Sequence, residues 1–183
     1  SLEMNGGKAS DVQVKACVRN TGSKQGAYTL MLVVRDRLGR VVAECSGTEK
    51  ISAGKCCIYD LKTPEIKFPE LWSPYSPSLY TLESKLYAGK RLLDAEEIVF
   101  GFRWFKWTAD EGFFLNGQHY YFRGANVHQD QAGWGDAVTD AAAYRDVCQM
   151  KEAGFDMIRG SHYPHSPAAC HGRLLFRAMP ATM

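Results

Sequence analysis

The sequence predicts a mainly β protein with an α/β portion: an immunoglobulin-like β-sandwich followed by the opening strand–helix–strand unit of an α/β domain. Three observations predict it. From residue 11 to 103, short apolar runs alternate with period two and recur every roughly 8 to 15 residues between Gly or Pro fences, the spacing of sandwich strands. No helical period appears there. From Gly112 to Pro164 the pattern changes to an Asn-Gly hairpin signal, an apolar run, a helix-forming segment and a second apolar run.

The sandwich strands are read from alternation. Val12–Val18 alternates and stops at Asn20-Thr-Gly22. Tyr28–Val34 is bounded by Asp36-Arg-Leu-Gly39, and Val41–Cys45 and Cys56–Leu61 come next. Leu79–Tyr87 turns at Ala88-Gly89 and resumes over Leu93–Phe100. Between Pro64 and Pro77 the prolines forbid a central strand. Trp72 is therefore expected in a rigid loop covering the sandwich edge, with a carbohydrate-stacking platform as the alternative. The aromatic run Phe100–Trp107 is expected to close the sandwich and pack against the second half of the chain.

In that second half, Gly112–Phe122 reads as two apolar arms joined by Asn116-Gly117, whose residue types suit a tight hairpin turn. A parallel strand is expected over His119–Arg123 and another over Asp156–Arg159. The helix between them is capped by Thr139 or Asp140, presents Ala143, Val147 and Met150 on one face, and stops at Gly154. The boundary falls near Thr108, giving domains 1–107 and 108–183. Two parallel strands cannot bury both their faces. The second domain is thus expected to be completed by a missing remainder, by another copy or by the sandwich.

Composition excludes several classes. A net charge of +2 disfavours a nucleic-acid partner. No apolar run reaches the roughly 18 to 20 residues of a membrane span, and Ser1–Val12 lacks a signal-peptide pattern. The six cysteines show no CxxC and are expected as free thiols, with Cys17, Cys56 and Cys57 as small buried hydrophobes.

The chemistry concentrates at the ends of the two parallel strands. Parallel strands joined by a helical crossover deliver their carboxyl ends to one rim, so His128 and His162 are expected together there. They suit polarising a hydroxyl, transferring a proton or binding a metal, against the alternative of structural hydrogen bonding. His162 and His165 lack an evident third ligand for zinc. Asp110, Glu111, Asp130 and Asp136 are carboxylates without a defined pairing. Arg159 is expected to point inward, where it needs an acidic partner, structural or bound.

The combination of Trp72-Ser-Pro with Leu79-Tyr80, Phe100-Gly-Phe-Arg103, Gly112-Phe-Phe-Leu-Asn-Gly117, Arg123-Gly-Ala-Asn-Val-His128 and Arg159-Gly-Ser-His-Tyr-Pro164 resembles glycoside hydrolase family 2 from about residue 11 to 167. The resemblance implies an incomplete (β/α)8 barrel after the sandwich. It implies substrate-binding roles for His128 and His162 at the sugar subsite, with Asn126 and Arg159 supporting that rim. It also implies that no catalytic residue lies in this chain, the family's acid/base and nucleophile glutamates being expected on later strands. The tail from 168 to 183, with Cys170-His-Gly-Arg-Leu, departs from the family pattern.

The parent is expected to be a retaining exo-β-glycosidase of the cytoplasm or the periplasmic or secreted space, with β-galactosidase first and β-glucuronidase second. Its partner is a carbohydrate substrate, with neither nucleic acid nor membrane, and no cofactor is evident beyond a divalent cation in the full-length parent. The chain alone is expected to be inactive and to self-associate through its incomplete barrel. The rival readings are a non-catalytic sandwich binding carbohydrate or protein through its aromatics, and a structural domain with no ligand.

Overall fold

The computed structural model describes residues 6–160. They divide into two units, Ser1–Leu71 with Ser78–Trp104, and Trp72–Pro77 with Phe105–Met183. The first is the predicted sandwich. Its strands are β1 (Ala9–Ser10), β2 (Gln13–Arg19), β3 (Gly26–Arg35), β4 (Val41–Ile51), β5 (Cys56–Lys62), β6 (Ile66–Lys67), β7 (Tyr80–Ala88) and β8 (Arg91–Phe100). An antiparallel sheet runs β4-β3-β7-β8; β2 pairs with β5, and β1 with β6.

Alternation places Leu30, Leu32 and Val34 of β3 in the core with Ile51, Tyr59, Leu82 and Phe102. The buried polar groups of Tyr59 and Asn20 are hydrogen-bonded there. The Tyr59 hydroxyl donates to the Tyr28 carbonyl at 2.8 Å. The amide of buried Asn20 donates to the carbonyls of Lys24 and Ile51 and accepts from the Gly22 N–H, which fastens the end of β2. Such bonds remove the cost of an unpaired interior dipole.

Three expectations are corrected here. Strand β4 does not stop at Cys45 but runs to Ile51. Gly47, one of the glycines expected to fence the strands, lies inside β4 as a packing residue: a Cβ there would sit 2.7 Å from Leu61 Cδ2. Cys17 and Cys56 are exposed rather than buried, because they fall on the outer phase of their strands. Among the described residues, Cys17, Cys45, Cys56, Cys57 and Cys148 are free; Cys170 lies outside them.

The second unit opens with a sheet ordered β11-β10-β9, built from β9 (Phe105–Thr108), β10 (Gly112–Leu115) and β11 (Gln118–His119). Asn116 (φ 51°) and Gly117 (φ 82°) make the two-residue loop, both with the positive φ that this tight turn demands. Strand β9 was not expected. The aromatic run divides, with Phe100, Phe102 and Trp104 packing in the sandwich core and Phe105 and Trp107 stacking on Phe113. Trp72 belongs to this second unit, 3% exposed, and its carbonyl accepts from the Asn116 side chain at 2.9 Å. Burial of that ring overturns the sugar-platform reading.

A parallel pair comes next, β12 (Gly124–Val127) with β13 (Met157–Gly160), joined by helix α1 (Asp140–Glu152). The first parallel strand therefore starts at Gly124, not His119. Tyr120–Arg123 is a bridge from the hairpin, tied by Tyr120 N–H to the Phe113 carbonyl at 2.9 Å. Thr139 caps α1 by accepting from Ala142 N–H at 3.3 Å. The helix ends with both bonds of a Schellman motif, Phe155 N–H to Met150 O and Gly154 N–H to Lys151 O, around Gly154 at φ 87°. Val147 is buried against Ile158, with Val127 and Met150 beside them, so α1 covers one face of the parallel pair.

The sandwich also carries an ion cluster whose pH response is predictable. Glu83 of β7 is 12% exposed and accepts from Arg35 Nε at 2.5 Å and Lys85 Nζ at 2.8 Å. Those two hydrogen bonds, Arg35 first, lower its pKa from 4.5 to about 2. A depressed carboxylate contributes stability above its unfolded pKa and loses it as the pH falls. Glu83→Gln is expected to lower the melting temperature at pH 7, with the difference from wild type shrinking from pH 4.5 and vanishing near pH 2. An unchanged difference across that range would rule out ionised Glu83 as its source.

Candidate functional site

Two strands can make a site only if they start in register, and Asp156 sets that start. Its Oδ1 accepts from Arg123 N–H at 2.7 Å, and its own N–H donates to the Arg123 carbonyl at 2.9 Å. Its Oδ2 accepts from the Tyr120 hydroxyl at 2.9 Å. Burial, then the hydrogen bond to Asp156, pushes the Tyr120 phenol well above its ordinary value of 10.0. The stabilisation this reflects is full below pH 10 and is lost only as the solution becomes more alkaline. The residue just before β13 is thus clamped to the residue just before β12.

From that clamp the ladder runs Gly124 opposite Met157, Ala125 opposite Ile158, Asn126 opposite Arg159, and Val127 opposite Gly160. Residues two apart share a face. Ala125, Val127 and Ile158 turn toward α1, so Asn126 and Arg159 lie together on the opposite, exposed face. The Arg159 guanidinium donates to Asn126 Oδ1 at 3.4 Å. Gly124 keeps that face closely packed, since a Cβ on it would lie 2.6 Å from Met157 Cε and 3.2 Å from the Met157 carbonyl oxygen.

His128 directly succeeds β12 and is exposed at its carboxyl end, the end to which Asn126 and Arg159 belong. The structure therefore brings together three of the four predicted rim residues. The fourth, His162, lies outside the described residues, as does His165. Asp110, Glu111, Asp130 and Asp136 are all exposed, and no bond joins any of them to another. Among the described residues, no three His, Cys, Asp or Glu side chains gather as a metal site. None of their helices is long and apolar enough to cross a membrane.

The loop after His128 is folded rather than loose. Gln131 and Gly135 exchange backbone hydrogen bonds at 3.1 and 2.9 Å, and the Gln131 side chain donates to Asp146 Oδ2 of α1 at 2.5 Å. A cavity of about 30 Å³ lies behind it, lined by Val127, His128, Gln131, Asp146, Val147 and Met150. It holds about one water, not a sugar. The Gly-rich loop from His128 to Asp136 was legible in the sequence, but its internal bonds and the clamp of Asp156 with Tyr120 were not. The Gly133-Trp-Gly135 tripeptide, two turn-forming glycines around a large aromatic, marks the tip of that loop.

Comparison with known proteins fits this architecture. The description "Glycosyl hydrolases family 2" matches residues 2–103, and "Glycosyl hydrolases family 2, TIM barrel domain" matches residues 108–171. The chain belongs to glycosyl hydrolases family 2. It is an immunoglobulin-like sandwich followed by the start of that family's barrel. It is 34% identical to a β-galactosidase of Bacteroides ovatus over 139 residues, 76% of this chain and 16% of that protein. It is 29% identical to a β-glucuronidase of Bacteroides fragilis over 161 residues, 86% of this chain and 23% of that protein. The crystal structure of a Bacteroides uniformis β-glucuronidase matches with a TM-score of 0.86 at 34% identity, over 90% of this chain and 20% of that one. The chain thus spans less than a quarter of each of these relatives.

The clamp can be tested on its own. Asp156→Ala is expected to cost about 1–3 kcal/mol, because it leaves an Arg123 N–H and a part-buried phenol without their acceptor. Tyr120→Phe, which removes donor and demand together, should cost less. Equilibrium urea unfolding measures both, and an Asp156→Ala variant as stable as wild type would show that the clamp does not hold the strands.

Proposed function

We propose that the whole protein is a retaining exo-β-glycosidase and that this chain is the piece carrying its sandwich and the opening of its barrel. The observation that carries the proposal is the pairing of Asn126 with Arg159 on the exposed face of the parallel strands, with His128 at the same end. The carboxyl ends of barrel strands are where this fold builds active sites. The named activities of the relatives, hydrolysis of β-glucuronides or β-galactosides, make a carbohydrate the substrate.

Retaining hydrolysis needs two carboxyl groups about 5–5.5 Å apart, one as nucleophile and one as acid/base. On this reading both come from later barrel strands, so the chain by itself does not hydrolyse glycosides. Its own residues prepare their site. Arg159 offers a fixed cation to orient an incoming carboxylate, and Asn126 steadies the guanidinium through Oδ1 while its amide N–H groups donate to a ring hydroxyl. His128 adds a hydrogen-bonding group beside the reacting ring. For the sugar, β-glucuronide is favoured, since the B. fragilis relative that aligns over 86% of the chain and the B. uniformis structure both carry that name. The B. ovatus β-galactosidase supports β-galactoside as the second choice.

Release of nitrophenol from aryl β-glucuronide and β-galactoside tests the reading in the full-length parent and in this chain. The parent should turn over one of them, and His128→Ala should lower its kcat/KM by about 100-fold or more, the usual loss of a positioned polar group. The isolated chain should release nothing. Turnover by the chain would place a carboxylate pair within these 183 residues and contradict the division of labour.

A further inference from the structure

Trp134 has no place in the site described so far, yet it is displayed beside it. The indole is 51% exposed although tryptophan is among the side chains with most to gain from burial. It stands between Gly133 (φ 86°) and Gly135 (φ 56°), at the tip of the turn closed by the Gln131–Gly135 backbone pair. Trp134 N–H donates to the Gln131 carbonyl at 3.0 Å, and the Ala137 N–H donates to the Trp134 carbonyl at 3.2 Å. Gln131 in turn is held to Asp146 on α1. Backbone bonds and anchor together hold the stretch of chain that presents a large exposed ring, so little backbone ordering remains to be lost on binding.

The loop begins at His128, on the end of the parallel strands where Asn126 and Arg159 pair. A sugar ring combines an apolar C–H face with a rim of hydroxyls. A half-exposed indole covers the first and leaves the second in water. Resting on the glycosidase reading above, we propose that Trp134 is a stacking platform for the leaving-group part of the substrate, favouring aglycones that are themselves sugar rings. The polar groups at the strand ends take the ring that is cleaved off, and Trp134, six residues further along, takes the next one.

The test uses the full-length enzyme with two substrates that share the cleaved sugar, one with a methyl aglycone and one with a second sugar. The measured quantity is the ratio of kcat/KM for the disaccharide to that for the methyl glycoside, which does not depend on the fraction of enzyme that is folded. Trp134→Ala and Trp134→Gln should each lower this ratio about tenfold, the scale of one lost aromatic contact, and Trp134→Phe should restore part of it. A ratio equal to wild type in both variants overturns the platform and leaves the glycosidase reading intact. A wild-type parent that hydrolyses neither substrate nor any aryl β-glycoside overturns the glycosidase reading, and the platform with it.

Discussion

The carboxylate of Asp156 ties three things that are distant in sequence: the backbone entering β12, the backbone entering β13, and the Tyr120 hydroxyl at the end of the hairpin. A parallel pair has no tight turn to fix its register, because the crossover is a whole helix. A slip by one residue would turn every side chain to the other face. Were β13 to slip, Arg159 would turn under α1, away from Asn126, and Ile158 would face out. The polar rim and the apolar contact with Val147 both depend on that one clamp.

The elements on either side of the clamp have different tasks. Toward the amino end, Phe122 stacks on Phe113 with centroids 4.4 Å apart, and Trp107 joins them, so the bridge into β12 is lined by aromatic contact rather than by ladder hydrogen bonds. Toward the carboxyl end the strands open into His128 and a loop folded by its own hydrogen bonds. The helix contributes by covering one face and by presenting Asp146 as an anchor for Gln131. Structure before the strands fixes register, and structure after them presents chemistry.

Legibility in the sequence tracked how local the physics was. Asn116-Gly117, Thr139 and Gly154 announced a turn, a cap and a stop because each acts within a few residues, and all three stand where expected. Alternation likewise located the main sandwich strands. The failures required partners far along the chain. Gly47 passed for a strand boundary because its reason, room for Leu61, comes from another strand. The Trp72 carbonyl is held by Asn116, 44 residues further on, a partner that no local pattern announces. Tyr120–Arg123 is apolar enough to read as strand, but its hydrogen bonds go to a hairpin and an aspartate instead. Asn126 and Arg159 were legible as candidates, while their direct pairing required the register that Asp156 sets.

A crystal structure of the full-length protein with a mechanism-based glycosyl inhibitor bound would test the central claim most directly. The account predicts the bound sugar ring on the exposed face of β12 and β13, with a ring hydroxyl at a hydrogen-bond distance of about 3 Å from the Asn126 amide. It also predicts the catalytic carboxylate next to the Arg159 guanidinium. A ring bound on the α1 side of the strands, or a sugar site to which neither Asn126 nor Arg159 contributes, would contradict it.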